Sequence, residues 1–478
     1  MRIVRVAIMA CLALTACVRN PATGSRQLSL VSESQEIGMG RDFDKQVDAA
    51  IGLYADSSLQ RWIQAFGKRL ADLSERPNLP WTFRIVDDSA VNAFALPGGF
   101  IYVTRGILAY LNSEAQLAGV VGHEIGHVTA RHAAQQITKQ ALAQLGLAAG
   151  SIASPSVGQY ANLASGALGV LFLKYSRDAE RQADDLGLRY MERAGYDARE
   201  LPGVFEMLGR VTSAAGGDRM PGWLATHPDP GDRRERITKE LAAVPAESLG
   251  TRVDREPYLR RIEGLVVGTD LREGYFKGSR FVHPGLGFEI TFPDGWTQTN
   301  ERKAVTALAL SRDAVIEVSG ASQSTPDSAA RGFLGQRGVQ GRIPALQVVN
   351  GLPTATSEFG ATTSDGATVR GTIVCVTLAK NVFRLVGYGL IGRWPDRRDA
   401  VTRSLATFRA LTDSAELATE PPHIVTFALE RDATIAELAT QRPSPLKPAA
   451  LALLNQVDTT STLTAGTRIK WVAGGRRP

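Results

Sequence analysis

Two histidines and a glutamate lie within one short apolar stretch of the sequence, GVVGHEIGHVTARH, residues 119–132. His123 and His127 are four residues apart, so on a helix their side chains project from one face, one turn apart. Neutral imidazole is a good Zn²⁺ ligand, and this spacing lets both rings reach one ion. Glu124 is turned about 100° around the helix, beside the metal, where a base acting on water belongs. The pattern predicts a metal site suited to hydrolysis.

A catalytic zinc ion takes a third protein ligand and leaves one position for water. His132 lies five residues beyond His127, which on a continuing helix turns it off the ligand face, and we expect it to be a solvated helix histidine. Glu180 and Asp184 lie one helical turn apart and are the better source. We expect Glu180 to bind the ion and Asp184 to hydrogen-bond a ligand histidine or the reacting group. Taken alone, this pair also fits a solvated helix face.

The two motifs, GHEIGHVTARH and then YSRDAERQADDLG, strongly resemble the HExxH zinc metalloproteases of metallopeptidase family 48. This gluzincin family includes the CAAX prenyl endopeptidase, HtpX-like heat-shock proteases and periplasmic proteases that survey outer-membrane β-barrel assembly. The stretch NAFALPGGFIYVTRGIL also resembles the family's strand region ahead of the zinc helix. The resemblance extends over about residues 33–240 and implies an endopeptidase that holds one Zn²⁺ ion.

The resemblance also implies a role for each matching residue. His123, His127 and Glu180 would bind the zinc, and Glu124 would be the general base. Asp184 matches the family's second acid, which has a proton-donor or supporting role. These implied roles agree with the ones that residue type and spacing suggest.

His227, in the stretch THPDPGDRRERI, matches a histidine that in periplasmic relatives approaches the zinc and blocks it. It could equally be a helix-entry residue held by Pro228, or a neighbour that returns a proton to the leaving amine, a task open to Glu124 as well. The substrate is expected to pair as an extended strand, because main-chain pairing accepts many sequences. The edge expected to receive it consists of Asn92, Ala93, Phe94 and Ala95.

The elements that must position these residues can be read from hydrophobic periodicity. Apolar residues recur at helical spacing in 33–50 and 56–74. Short apolar runs around a Pro-Gly-Gly turn predict strands within 81–108. Ser113 and Gln116 form a capping-box pattern ahead of the zinc helix. The predicted scaffold is therefore two helices, a small sheet and the zinc helix.

A nearly uncharged segment follows the zinc helix. Residues 141–173 are rich in Ala, Gly, Leu and Ser, and Pro155 interrupts them, so neither half reaches the length of a membrane span. A helical hairpin packed on the core is one interpretation, and a mobile lid or membrane-resting loop over the site is the other. Residues 175–195, which carry the acidic motif, are predicted to form a helix that ends at a glycine.

The first seventeen residues, MRIVRVAIMACLALTAC, have the pattern of a secretory signal. LTAC at its end resembles the bacterial lipobox, in which Cys17 becomes the lipidated N-terminus, although an ordinary signal peptide is the alternative. By resemblance to lipoproteins of Gram-negative bacteria, Val18 after the cysteine favours the outer membrane, if the host is Gram-negative. Residues 18–32 are predicted to be a tether. The expected location is the periplasmic side of the outer membrane.

Composition fits a secreted globular protein. Of 478 residues, 44% are hydrophobic and 21% charged, and the formal charge of +6 is spread thinly, which argues against nucleic-acid binding. Removal of Arg2 and Arg5 with the signal would leave +6 − 2 = +4. Cys11 would leave as well and Cys17 would be acylated, so Cys375 stands alone and no internal disulfide is expected.

The fold class predicted is multidomain α+β, with a mainly helical metalloprotease domain that contains a small sheet. The second half lacks the 34-residue period of tetratricopeptide repeats. One part of it resembles PsbP/Mog1-like domains and the end resembles a LysM-like βααβ module, a type that often binds peptidoglycan. The predicted boundaries are 33–250 for the metalloprotease, 251–280 for a linker, 281–412 for the α+β domain and 421–478 for the module.

The function expected from the sequence is a zinc-dependent endopeptidase that cleaves unfolded or misassembled envelope proteins in periplasmic quality control. The alternative is a latent protease that acts mainly as a chaperone or as a cell-wall-binding adaptor lipoprotein.

Overall fold

The protein has an α+β architecture with several sheets, which confirms the predicted class at that level. The computed structural model describes residues 17–151, 175–214, 223, 226–227, 230–246, 249–363 and 366–475. It divides into two compact units, Met1–Thr269 with Pro422–Pro478, and Asp270–Pro421. The predicted signal up to residue 16 and most of the predicted lid, 152–173, lie outside the described residues. Among those that are described, no helix combines the length and the apolar character that a membrane crossing requires.

Unit 1 begins with a small hairpin and two helices. These are β1 (Cys17–Arg19), β2 (Arg26–Leu28), α1 (Glu33–Ala50) and α2 (Ser57–Ala71). The two strands pair antiparallel, so the stretch predicted to be a tether contains ordered structure. A capping box between Ser32 and Gln35 starts α1. The predicted apolar face of α2 is buried in the core, as its helical spacing requires.

A three-stranded sheet follows, as predicted. Its strands are β3 (Thr82–Val86), β4 (Ala93–Leu96) and β5 (Phe100–Thr104), in the order β3-β5-β4. Gly98 and Gly99, with φ of 79° and 101°, make the tight turn that joins β4 to β5. The end of the segment predicted as strand is instead a short helix, α3 (Arg105–Tyr110). Within the described chain β4 pairs only with β5, so its outer edge is free.

The zinc helix predicted from the sequence is α4 (Glu114–Thr129), and nearly all of it is buried. Ser113 accepts a hydrogen bond from the Gln116 backbone N–H, but the Gln116 side chain accepts from Asn112 rather than from Ser113, so only half of the predicted capping box forms. Beyond α4 the chain turns at Arg131, whose φ is 61°. Two further helices then frame the site, α5 (His132–Ser151) and α6 (Arg177–Arg193).

Unit 1 is completed by three helices and by the C-terminal part of the chain. The helices are α7 (Leu201–Ala214), α8 (Pro230–Ala242) and α9 (Arg255–Arg261). Tyr258 and Leu259 of α9 are buried in the core, so much of the predicted linker 251–280 belongs to unit 1. It was mistaken for a linker because charged residues surround these two buried side chains in the sequence.

The C-terminal residues are β18 (His423–Ala428), α13 (Ile435–Gln441), α14 (Pro448–Leu454) and β19 (Arg468–Ala473). They follow the strand–helix–helix–strand order, but they pack into unit 1 instead of forming a separate body. Lys470 is fully buried and donates to the carbonyls of Ala109 and Leu111, at the end of α3. The LysM-like resemblance stays a prediction.

Unit 2 is built mainly of antiparallel strands, and its longest, β14 (Leu352–Thr362), β15 (Thr368–Leu378) and β16 (Asn381–Leu390), lie side by side. β11 (Ala314–Ala321), β10 (Ala304–Leu308) and β9 (Thr297–Glu301) continue this sheet beyond β16, and β12 (Val339–Gly341) and β13 (Ala345–Val349) pair with β14. The second sheet contains β6 (Tyr275–Lys277), β7 (Arg280–His283), β8 (Phe288–Thr291) and β17 (Arg409–Ala410). The helices of unit 2 are α10 (Pro326–Leu334), α11 (Trp394–Ala406) and α12 (Ser414–Leu417). Cys375 on β15 is a buried free thiol.

Candidate metal centre

Four buried side chains converge between α4, α6 and the segment ahead of α8: His123, His127, Glu180 and His227. The Nε2 atoms of His123 and His127 are 3.0 Å apart. Nδ1 of His227 lies 3.3 Å from Nε2 of His123 and 3.0 Å from a Glu180 carboxylate oxygen. Glu180 oxygens lie 3.5 Å and 3.4 Å from the two Nε2 atoms of the zinc-helix histidines. The site therefore brings three imidazole nitrogens and one carboxylate to a common point.

These separations fit a tetrahedral zinc site. A metal–ligand distance of ~2.1 Å places the ligand atoms of a tetrahedron ~3.4 Å apart. Five of the six distances among His123, His127, Glu180 and His227 run from 3.0 to 3.5 Å, and all four ligand atoms lie within 4.8 Å of one another. Imidazole lone pairs aimed at one another repel unless a cation or a proton lies between them. The donor set, three nitrogens and one carboxylate oxygen, is one that zinc accepts.

The two helices that supply these ligands meet through glycines. A Cβ atom on Gly122 would come within 3.2 Å of the Gly187 Cα, and one on Gly126 within 2.9 Å of the Ala183 carbonyl oxygen. Because neither glycine has a side chain, α4 and α6 approach until their backbones touch. This close crossing places Glu180, on α6, within reach of both histidines of α4.

Asp184, one turn after Glu180, fixes the orientation of the His123 ring. Its Oδ1 lies 2.9 Å from Nδ1 of His123, which leaves Nε2 of that ring facing the other ligands. Arg233 contacts both oxygens of Asp184 and lies 3.0 Å from a Glu180 oxygen. Burial opposes ionisation of Asp184, but Arg233 and His123 outweigh it and hold its pKa well below the usual range. The carboxylate is therefore ionised and accepts a proton shared with His123.

The pKa values of the histidines depend on the same neighbours. Burial and Arg233 act to lower the pKa of His123, but its bonds to Asp184 and Glu180 outweigh them and raise it to about 9. Burial lowers the pKa of His127 well below its ordinary value, although Glu180 opposes this effect. His127 is thus held as a neutral imidazole, the form that binds metals.

His132 is not the solvated histidine expected from the sequence. It is buried, and its Nδ1 lies 2.9 Å from Nδ1 of His127, while its Nε2 lies 2.8 Å from the Gln182 side-chain oxygen. The prediction was wrong because it continued the helix through this region. The backbone turns at Arg131 and a new helix begins at His132. This turn places the His132 ring against His127, a predicted zinc ligand. Burial lowers the pKa of His132 to about 4.

Glu124 lies beside the cluster rather than within it. One of its oxygens is 3.5 Å from Nε2 of His227 and is buried with no hydrogen-bond partner among the described residues. Burial raises the pKa of this carboxyl, against the opposing charges of His227 and His123. A carboxylate oxygen without a hydrogen-bond partner and a raised pKa suit a group that takes a proton from water.

Two aromatic rings enclose the histidines. Tyr175 stacks on His127 with ring centroids 4.1 Å apart, and Trp223 packs on His227 at 4.4 Å. Burial and the charges of Glu124 and Glu180 raise the pKa of Tyr175. The aromatic walls keep the cluster out of contact with solvent.

The strand expected to receive substrate lies next to this site. β4 supplies Ala93, Phe94 and Ala95, and Asn92 precedes it with a buried side-chain oxygen that has no hydrogen-bond partner in the described part of the chain. Ala95, His127 and Tyr175 line a common crevice of about 10 Å³. The cleft is therefore nearly closed in this conformation.

Several supporting residues escaped the sequence prediction. Arg233 carries no spacing signal, because it stands in a run of charged residues that reads as an exposed helix face. Tyr175 and Gln182 have no local pattern either, since their roles arise from packing across helices. The one hint in the sequence is that Arg233 shares the stretch THPDPGDRRERI with His227.

The zinc helix, the ligand from a second helix and the adjacent edge strand define a metallopeptidase of the HExxH class. Residues 57–241 match the family model described as Peptidase family M48. The match over this domain confirms the resemblance seen in the sequence. Zinc is the metal that this family uses, and the four-residue cluster is compatible with it.

The chain is similar to named proteases over the same region. It is 37% identical over 196 residues to the "Mitochondrial metalloendopeptidase OMA1" of Arabidopsis thaliana, covering 40% of this chain and 38% of that protein. It is 31% identical over 223 residues to the "Beta-barrel assembly-enhancing protease" of Escherichia coli, covering 45% of each. The chain thus spans less than half the length of these two relatives.

The chain has a weaker similarity to solved structures. Cyanobacterial PsbP from Synechocystis aligns with 28% of this chain and 94% of its own length, at 16% identity and a TM-score of 0.24. A score of this size supports no argument on fold, and the PsbP/Mog1-like resemblance stays a prediction.

Proposed function

We propose that this protein is a zinc-dependent endopeptidase that cleaves unfolded or misassembled envelope proteins in periplasmic quality control. The observation that carries the proposal is the convergence of His123, His127 and Glu180 with Glu124 beside them. Its support is the M48 domain and the relatives that bear the names of a metalloendopeptidase and of a beta-barrel assembly-enhancing protease.

The metal and the side chains around it have separate chemical roles. Zinc, when bound, supplies a Lewis acid that polarises a peptide carbonyl and makes water a stronger acid. Glu124 takes the proton from water and can return it to the leaving amine. Asp184 holds the His123 ring in its ligating orientation.

Substrate orientation is assigned to the free edge of β4. An extended chain paired with Ala93, Phe94 and Ala95 runs beside the zinc helix, and its main-chain groups bond without regard to sequence. Asn92 offers the buried oxygen that lacks a partner in the described chain. This binding mode suits unfolded segments, because they can adopt an extended conformation without first losing native structure.

For location and partners, we propose a lipid anchor at Cys17 and attachment to the periplasmic side of the outer membrane. The support is the LTAC motif and the signal pattern before it. Peptidoglycan remains a proposed partner of the C-terminal residues.

The test is proteolysis of an unfolded protein by the full chain, together with measurement of bound zinc. Glu124→Gln is expected to keep zinc and lose cleavage by at least about 10²-fold, the contribution of general-base catalysis. Glu192→Gln, an exposed glutamate on α6, is the matched control and should cleave like wild type. Equal cleavage by Glu124→Gln and wild type would overturn the catalytic assignment.

A second candidate is a latent protease that acts mainly as a chaperone or adaptor. The observation that favours it is His227, which lies in the ligand cluster where an open site would admit water. On this reading His227→Ala opens the fourth position, so cleavage by the zinc-loaded variant rises above wild type. A fall in cleavage would instead assign His227 a role in proton transfer or in binding the reacting group.

A further inference from the structure

The N-terminal hairpin is attached to the end of the zinc helix. Asn20, which directly follows β1, donates from its side-chain amide to the carbonyl of Ala130, the residue that caps α4, at 3.3 Å. Arg131 donates to the carbonyl of Val31 at 2.7 Å. These contacts fix residues that follow Cys17 on a rigid part of the molecule.

The hairpin also rests on α5. Gln135 and Gln27 bond through their side chains at 2.8 Å, and the Leu30 N–H donates to the Thr138 hydroxyl at 3.0 Å. The segment from β1 to α1 therefore has side-chain or backbone bonds to the first two turns of α5. It is held in one position relative to the metal centre.

Three leucines beside this attachment are exposed. Leu28 ends β2, Leu30 follows it by two residues, and their side chains are 44% and 47% exposed. Leu142 follows Thr138 by one helical turn and is 42% exposed. Because Leu30 bonds to Thr138, the three side chains lie in one neighbourhood, which we call the leucine patch.

The charged side chains of the hairpin and of the first turns of α5 are basic. Arg19 and Arg26 are exposed and directly opposite each other in the β1–β2 pairing, an arrangement that is unfavourable in isolation. Lys139 is exposed on α5 between Thr138 and Leu142. Neither residues 17–31 nor residues 132–143 contain an Asp or a Glu. An anionic surface would relieve the repulsion between the two arginines.

We propose that the leucine patch, with Arg19, Arg26 and Lys139 around it, is a docking surface for a phospholipid bilayer that carries anionic headgroups. This inference rests on the proposed lipid anchor. Cys17 pairs with Leu28 in the hairpin, so a lipid on Cys17 would enter the bilayer at the patch itself. Apolar side chains that enter a membrane interface among basic residues are the usual composition of a peripheral membrane contact.

The docking surface gives the metal centre a fixed position relative to the membrane. Cys17 is three residues from Asn20, a reach of ~10 Å, and Asn20 bonds to Ala130. His127 precedes Ala130 by three residues, ~4.5 Å along the helix axis. The peptidase is thus held close against the bilayer instead of moving on a flexible linker.

The test uses the full lipidated chain in vesicles that contain anionic lipid, some of it with brominated acyl chains. A fluorophore is attached at Leu142→Cys or, as the control, at Ser461→Cys, an exposed residue near the C-terminus. Cys375 is buried, so the introduced thiol is the one that reacts. We expect severalfold stronger quenching at residue 142 than at residue 461, and equal quenching would overturn the docking surface.

Failure of the anchor and failure of the surface give different results. Mass measurement and membrane fractionation of wild type and Cys17→Ser report on the anchor. Wild type without a lipid overturns both proposals. A lipidated protein with equal quenching at the two sites overturns the docking surface alone and leaves the anchor and the peptidase assignment standing. Loss of the difference in quenching on Leu28→Ser with Leu30→Ser would support the leucine patch as the contact.

Discussion

The backbone of Gly187 lies against the backbone of His123: a Cβ atom on residue 187 would come within 3.0 Å of the His123 nitrogen. This contact sets the separation of α4 and α6, and with it the distance from Glu180 to the two histidines of the zinc helix. Metal binding therefore depends on residues that carry no ligand atom.

A methyl group at the helix crossing should weaken zinc binding. In Gly126→Ala the new Cβ would meet the Ala183 carbonyl oxygen at 2.9 Å, and a backbone atom cannot rotate away, so the helices must separate. We expect zinc affinity to fall by roughly tenfold or more, the scale of changes that disturb ligand orientation. Competition with a chelator measures it.

The control is Gly209→Ala, on α7, where nothing lies within 4 Å of the added atom. This variant should keep zinc affinity and be slightly more stable, since alanine favours a helix over glycine by ~1 kcal/mol. Unchanged zinc affinity in Gly126→Ala would show that the crossing does not position Glu180.

Asp184 should act on zinc through His123. In Asp184→Asn the side chain keeps its size but loses the charge that holds the His123 ring and that pairs with Arg233. We expect zinc affinity to fall by about 10–100-fold. Asp185→Asn is the matched control, because Asp185 is exposed and its ion pair among the described residues is with Arg236 at the surface. A similar loss in both variants would contradict the supporting role of Asp184.

Loss of Arg233 should destabilise unit 1. This guanidinium is buried against Asp184 and Glu180, so Arg233→Met removes the buried cation from both carboxylates and leaves Asp184 with the partly exposed Arg236. The expected cost is about 3–5 kcal/mol in the free energy of unfolding. Arg234→Met removes an exposed pair with Glu206 and should cost under about 1 kcal/mol. Denaturant unfolding of the zinc-free proteins makes the comparison, and equal losses would argue against a special role for Arg233.

The buried Lys470 should make stability dependent on pH. Burial, with a smaller contribution from Arg255, lowers its pKa well below 10.5. Between the pKa of Lys470 in the folded protein and 10.5, the unfolded chain binds more protons than the folded chain, so the free energy of unfolding rises with pH. Below the folded-state pKa, the full cost of a charged Lys470 in the core is present. The neutral amine has two N–H donors, which match the carbonyls of Ala109 and Leu111.

In Lys470→Met this pH dependence should disappear. The free energy of unfolding of wild type, relative to the variant, should rise between about pH 7 and pH 10 by at most ~1.4 kcal/mol per unit. Lys447→Met, at an exposed lysine, serves as control and should track wild type. A difference that stays constant with pH would mean that Lys470 keeps its charge in the folded protein.

The parts of the site that the sequence predicts are those determined locally. His123, Glu124 and His127 lie within two turns of one helix, and Glu180 and Asp184 within one turn of another, so helical spacing alone orients each group. The expectation that these two groups lie close together was supported by the resemblance to a family. The crossing of the two helices depends on glycines. They contribute by lacking a side chain, and hydrophobic periodicity does not identify such residues.

The parts that the sequence did not predict depend on distant contacts. The chain turns at Arg131 because its guanidinium bonds to Val31 and to buried Glu36, about a hundred residues earlier. Periodicity over 132–143 looks like a continuation of the zinc helix, and so His132 was assigned to solvent. In the same way, only packing identifies α9 as core, since its buried Tyr258 and Leu259 stand among charged residues in the sequence.

The bond from Lys470 to Ala109 joins residues that are 361 positions apart, with all of unit 2 between them. A ribosome that adds ~5–20 residues per second completes the last strand of the peptidase roughly 20–70 s after the first turn of the zinc helix has been made. A growing chain therefore carries its HExxH helix long before the strand that bonds to the end of α3 exists. An incomplete chain therefore lacks the strand that closes unit 1, even when it contains the zinc helix and all of unit 2.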